Sequence, residues 1–110
     1  MAGTYYNAIL RINNQAGDYT AAISDFNSDT IIRMTSASAN NFTIPLNASV
    51  PFPIGAQLLV VQNGVGQTTI VATGGVTINA VGLKISTRYA AATLIQVALN
   101  EWNAIGTLTV

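Results

Sequence analysis

The chain has 110 residues, formal net charge zero, no cysteine and no histidine, and half of its residues are hydrophobic. Eight residues are charged in all: Arg11, Asp18, Asp25, Asp29, Arg33, Lys84, Arg88 and Glu101. An ordinary domain is roughly a quarter charged; here thirteen Thr and eleven Asn carry most of the polarity. This composition excludes a disulfide framework and a thiolate zinc site. It lacks the commonest general base and metal ligand. It also lacks the clustered cations of a nucleic-acid face. The length suits a single domain.

In chain order, Met1–Ala2–Gly3–Thr4–Tyr5–Tyr6–Asn7 lacks the basic and apolar blocks of a signal peptide. No apolar run approaches the ~18 residues of a membrane span. The first segment, 1–28, holds three of the four tyrosines and short apolar pieces, and reads as an N-terminal arm that docks on a neighbour. Within it a strand is expected over Asn7–Ile12. One or two helical turns are expected over Asp18–Phe26, with Asp18 as N-cap.

Residues 29–110 read as a β domain. Thr30–Thr35 opens β-branched, and Phe42–Thr43–Ile44–Pro45–Leu46 alternates with Phe42, Ile44 and Leu46 on one face. Pro45 has no N–H to donate, which points to an edge strand or a bulge. Pro51–Phe52–Pro53–Ile54–Gly55 is a stiff connector. Gln57–Gln62 is apolar on both faces, as in a strand covered on both sides. Asn63–Gly64 followed by Gln67–Thr73 reads as a hairpin. Further strands are expected at Val76–Asn79, Lys84–Tyr89, Ala92–Leu99, Trp102–Ile105 and Thr107–Val110. Ala90–Ala91–Ala92 favours helix, but Thr93, Ile95 and Val97 tip that segment to strand. About eight short strands with turns every 8–12 residues predict an all-β, compact antiparallel β-sandwich or barrel-like domain.

No catalytic, cofactor or metal site is expected. Asp25, Asp29 and Glu101 are the carboxylates from which a glycosidase pair would have to come, but turn acids beside Asn and Ser are usually caps. Asp25–Phe26–Asn27–Ser28–Asp29 opens like a calcium loop. Thr30 stands where that loop needs Gly and Ser36 where it needs Glu, leaving only a weak candidate set of Asp25, Asn27 and Asp29. Gly64–Val65–Gly66 begins a dinucleotide fingerprint that Thr69 breaks. The Asn41 and Asn47 sequons have no delivering signal. A Ser–Lys nucleophile through Lys84 has no supporting pattern. Tyr5, Tyr6, Tyr19, Tyr89 and Trp102 offer a sugar-stacking platform; packing is the preferred reading for Trp102 and Tyr89.

Several pieces, taken in order, resemble a small β domain of tailed-bacteriophage virion proteins. They are Phe42–Gly55, Gln62–Ile70, Gly75–Asn79, Leu83–Lys84, Tyr89–Ile95, Trp102 and Gly106. Ala80–Val81–Gly82 replaces the glycine pair common in that family's loop. The resemblance implies a non-enzymatic virion structural protein, usually a homotrimer, assembled in the host bacterial cytoplasm. With a short leading segment instead of a shaft, a capsid decoration, cement or head-fibre protein is expected, with the major capsid protein or another virion protein as partner. The alternative is a tail-fibre or spike tip binding a receptor or glycan. Neither nucleic acid nor membrane is an expected partner.

Overall fold

The computed structural model describes residues 9–27 and 29–110. Among the described residues, eleven strands and one helical turn follow one another. The first are β1 Arg11–Gln15, β2 Tyr19–Thr20, α1 Ser24–Asn27, β3 Thr30–Met34, β4 Asn40–Ile44 and β5 Gln57–Gln62. Then come β6 Thr68–Ala72, β7 Thr77–Asn79, β8 Lys84–Ile85, β9 Ala91–Ala98, β10 Glu101–Gly106 and β11 Leu108–Thr109.

From β1 to β8 the chain alternates strictly between two sheets. One sheet has the order β1-β3-β5-β9-β10-β7 and the other β11-β8-β6-β4-β2. Strands β1, β3 and β5 are parallel to one another, as are β2, β4 and β6. Three successive coils therefore stack, each giving one strand to each sheet. The molecule is a short β-solenoid.

This corrects the expected antiparallel sandwich or barrel while keeping its all-β class. The Asn63–Gly64 signal does reverse the chain, but β5 and β6 are not hydrogen-bonded partners; they lie in opposite sheets. A hairpin turn and a solenoid corner use the same turn residues. Gly64 and Gly66 reveal the difference. A Cβ on Gly64 would enter the backbone of Thr35 and Ser36, and one on Gly66 would enter that of Ser38. The corner after β5 thus rests directly on the corner after β3. Asn63 and Gly64 both donate to the Met34 carbonyl, at 2.8 and 2.9 Å, and Gly66 donates to Ser36 at 3.1 Å.

Side chains of stacked strands form ladders in the interior. Ile32 aligns with Val60 and Val60 with Ala92; Tyr19 aligns with Phe42 and Phe42 with Ile70. The Tyr19 and Phe42 rings stack at 6.3 Å. Polar ladders are closed internally. Thr68 Oγ1 donates to Asn40 Oδ1 at 2.7 Å, and the Thr68 N–H donates to Gln62 Oε1 at 3.1 Å. Buried polar groups satisfied in this way cost little and fix register.

The parallel stack ends in a hairpin. β9 lies antiparallel against β5, β10 antiparallel against β9, and the short β7 runs parallel beside β10. The expected strand over Ala92–Leu99 is thus present, starting one residue earlier. Trp102 points inward and packs edge-on against Phe52 at 5.4 Å. Buried Gln96 holds the stiff connector, donating to the carbonyls of Phe52 at 2.7 Å and Pro53 at 3.2 Å. Pro45 lies just past β4, where no ladder donor is needed; β4 itself is an inner strand between β2 and β6. Lys84–Tyr89 shrinks to the two residues of β8.

Within the segment expected as an arm, Arg11–Gln15 pairs with Thr30–Met34 along its whole length, and Tyr19–Thr20 pairs with Phe42–Thr43. The Asn7 end of the expected Asn7–Ile12 strand, with Tyr5 and Tyr6, lies outside the described residues. The expected helical turn is confined to Ser24–Asn27. Asp18, expected as its N-cap, instead accepts from the Asn41 N–H at 2.8 Å.

Candidate functional site

The candidate carboxylates are held apart in role. Asp25 is buried, and both of its oxygens are fully engaged. Oδ1 accepts from Arg11 Nη1 at 3.2 Å and Asn13 Nδ2 at 2.9 Å. Oδ2 accepts from the Tyr19 hydroxyl at 2.6 Å and the Ala22 N–H at 2.9 Å. The network extends to Thr30, which receives Arg11 Nη1 at 3.2 Å, and Gln15, which donates to Asn13 at 2.7 Å. Buried Asn13 thus stands on β1 beside buried Ile32 on β3, a polar position next to an apolar one. This is the composition of a terminal repeat that closes a stack.

Asp29 points elsewhere, lining an open groove. Glu101 sits on β10 and accepts from Asn79 Nδ2 at 2.9 Å. Among the described residues no group of three acidic side chains is gathered as a metal site. Lys84 is exposed on β8, in register with Thr69 and Thr109 rather than with a serine, and Asn41 is exposed on β4.

Tyr19 feels the knot most strongly. Burial first, then its hydrogen bond to Asp25, pushes its phenol up from 10.0 to about 12. Because the folded-state pKa is raised, its contribution to stability is complete below pH 10 and is lost as pH rises through about 12. The melting temperature of the wild-type chain should therefore fall between pH 10 and about pH 12 more than that of Tyr19→Phe. An equal fall in both would refute this coupling.

The aromatics divide. Trp102 is buried, as the packing reading expects. Tyr89 is 66% exposed, so it does not fill the core of this chain. Its φ of 70° is unusual for a bulky residue, and the Arg88 guanidinium lies 4.7 Å from the ring centroid. Arg88 Nε also donates to the Asn63 carbonyl at 3.1 Å, so the pair braces the solenoid corner.

Among the described residues, the outer face of the six-stranded sheet carries a continuous uncharged row. Register places Ile12 beside Ile31, Ile31 beside Leu59, Leu59 beside Thr93, and Thr93 beside Ile105. One uncharged row thus crosses five of the six strands. Its ends, Ile12 and Ile105, are 56% and 60% exposed, while Leu59 is half-buried. Leu58 and Val60 fill the core and Leu59 and Val61 face outward, so the two-faced apolarity of Gln57–Gln62 is covered on one side within the chain.

Against this row lies an open groove of about 410 Å³. Leu10, Phe26 and Leu59 form its apolar lining, and Asp29, Gln57 and Thr93 its polar lining. Asp29 sits at φ 47°, a left-handed conformation that Asp tolerates better than most side chains.

No protein family, curated protein or solved structure matches the chain.

Proposed function

We propose that the chain is a non-enzymatic structural protein that works by assembly, as a bacteriophage capsid decoration, cement or head-fibre protein. The outer face of the six-stranded sheet carries this reading. Its central row, Ile12–Ile31–Leu59–Thr93–Ile105, has no charge and leaves large apolar side chains in solvent. Contiguous apolar surface of this kind marks a protein–protein contact. Burial contributes roughly 25 cal/mol per Å² of apolar area. With only eight charges in the chain, closely packed neighbours repel little. The placement in a virion rests on the sequence resemblance.

A second reading, a tip domain binding a receptor glycan, draws on the groove, where Phe26 lies beside Asp29, Gln57 and Thr93. An apolar surface with a few polar groups is the usual make-up of a ligand site. Copy number in purified phage particles encoding the chain separates the two. Many copies over the head surface support decoration, a few copies at a tail tip support the second reading, and absence from particles overturns both. A glycan array without binding would remove the second reading independently.

A further inference from the structure

We propose that the outer face of the six-stranded sheet is a two-fold self-association face whose occupant is a second copy of this chain. The inference rests on the assembly reading and deepens it by naming the partner of that face.

The physical basis is self-complementarity. A closed pair uses the same patch on both copies, so every position must tolerate the position the two-fold axis sets against it. Let the axis run along the uncharged row Ile12–Ile31–Leu59–Thr93–Ile105. The row then packs on itself. Every residue two places before the row on a strand meets the residue two places after it on the other copy's same strand.

On β3 that rule acts on charges. Two residues before Ile31 is Asp29, which lines the groove on this face; two residues after it is Arg33. Arg33 also belongs to this face, since it donates to Asn14, which pairs with it on the neighbouring strand. The axis therefore sets Arg33 against the partner's Asp29, and Asp29 against the partner's Arg33. Any face with one charge of each sign placed symmetrically about an apolar row gains two ion pairs in this way.

On β9 the same operation sets Ile95 against Ala91, which flank Thr93 by two residues on either side. A large side chain thus meets a small one, as interdigitating sheets require. Sheets packed face to face lie about 10 Å apart with strands within about 30° of alignment. The second copy's Arg33 and Val61 would stand over the Asp29 and Gln57 side of the groove, so self-association and glycan binding at this groove exclude one another.

The test uses the whole chain and charge-swapped variants in sedimentation velocity. Wild type should run at twice the 11.5 kDa chain mass. Arg33→Glu sets a new carboxylate against Asp29 at both symmetry-related contacts, and Asp29→Lys sets a new ammonium against Arg33 at both. Each variant alone should dissociate, with Kd raised about 100-fold or more. Mixed in equal amounts, they should recover the doubled mass. In the mixed pair one contact joins the two native charges' replacements and the other joins the native Asp29 and Arg33, so both again have opposite signs. Circular dichroism shows that each variant is folded before mixing. Should Asp29→Lys fail to fold at its positive φ, Asp29→Asn replaces it and should weaken pairing without repulsion. A trimeric wild type, or Arg33→Glu that pairs as well as wild type, overturns this two-fold face but leaves assembly standing. A monomeric wild type that joins particles overturns it in favour of another virion protein as occupant. A monomer absent from particles defeats the assembly reading as well.

Discussion

Replacing Asp25 with alanine is expected to cost the fold about 3–5 kcal/mol, because it strands several polar donors in a largely buried place. The carboxylate accepts four hydrogen bonds, from Arg11, Asn13, Tyr19 and the Ala22 backbone. Without it the buried Asn13 amide, the Tyr19 hydroxyl and the part-buried Ala22 N–H lose their acceptor, at about 1–3 kcal/mol for each one left without a partner. Arg11 is different, because its side chain is 41% exposed and water can solvate it. Arg11→Ala should still cost about 1–3 kcal/mol, less than Asp25→Ala, because it leaves the buried Asp25 carboxylate with three neutral donors and no counter-charge. Asp25→Asn is isosteric but should recover only part of the loss. Donors sit on both oxygens, so either orientation of the amide turns an NH₂ toward two of them. Urea unfolding of the three variants checks the ranking. A loss below about 1 kcal/mol for Asp25→Ala would show that the knot is not a stabilising cap.

The second large effect is expected at Gly66. A methyl group there would enter the Ser38 backbone, and the clash is with main chain, which cannot rotate away. Gly66→Ala should destabilise by about 3 kcal/mol, at the upper end of overpacking costs, because two stacked corners must separate. Gly74 has open space around its Cβ position, so Gly74→Ala serves as the control and should lie within about 0.5 kcal/mol of wild type. If the two substitutions melt alike, the corners are not in the contact described.

The contrast between these glycines explains how much of the fold the residues alone disclosed. Strands were legible where β-branched and apolar residues cluster: the expected Thr30–Thr35, Phe42–Leu46, Gln57–Gln62, Gln67–Thr73 and Ala92–Leu99 fall on β3, β4, β5, β6 and β9 within two residues at each end. Their connection was not. Asn63–Gly64 announces a reversal, yet whether the chain returns in its own sheet or crosses to the opposite one depends on what lies under the corner. Here that is Ser36 and Ser38, which belong to the preceding coil. Nor did a repeat betray the coils. Arg11 stacks under Thr30 and Tyr19 under Phe42 at spacings of 19 and 23 residues, whereas Ile31 under Leu59 and Phe42 under Ile70 are both 28 apart, so a common spacing joins only two coils and no period is sustained over three.

The site was legible in fragments for a similar reason. The outward apolarity of Leu59 and Val61 stands in plain view within one strand. Ile12 and Ile105, which complete the row, come from opposite ends of the chain and join it only through register. Asp25 stood out as a carboxylate, but its four donors come from β1, from β2 and from the loop before α1. Residue type alone therefore could not distinguish a buried acceptor from a surface cap. Tyr89 was not legible as an outward residue: aromatic residues at strand ends often pack inward, but its positive φ goes with a ring stacked by Arg88 and exposed on this chain.

The β9–β10 hairpin has a bearing on polymerisation. A parallel coil stack offers each new coil the same template, and nothing in the repeating geometry itself says when to stop. In this chain β9 takes the place beside β5 where a fourth parallel strand would lie, and it runs the opposite way. The strand left outermost, β7, has only three residues. Short edges of this kind are poor templates for another chain. The hairpin is a chain terminator in the fibre sense: it makes that end of the stack a poor template for a further parallel coil.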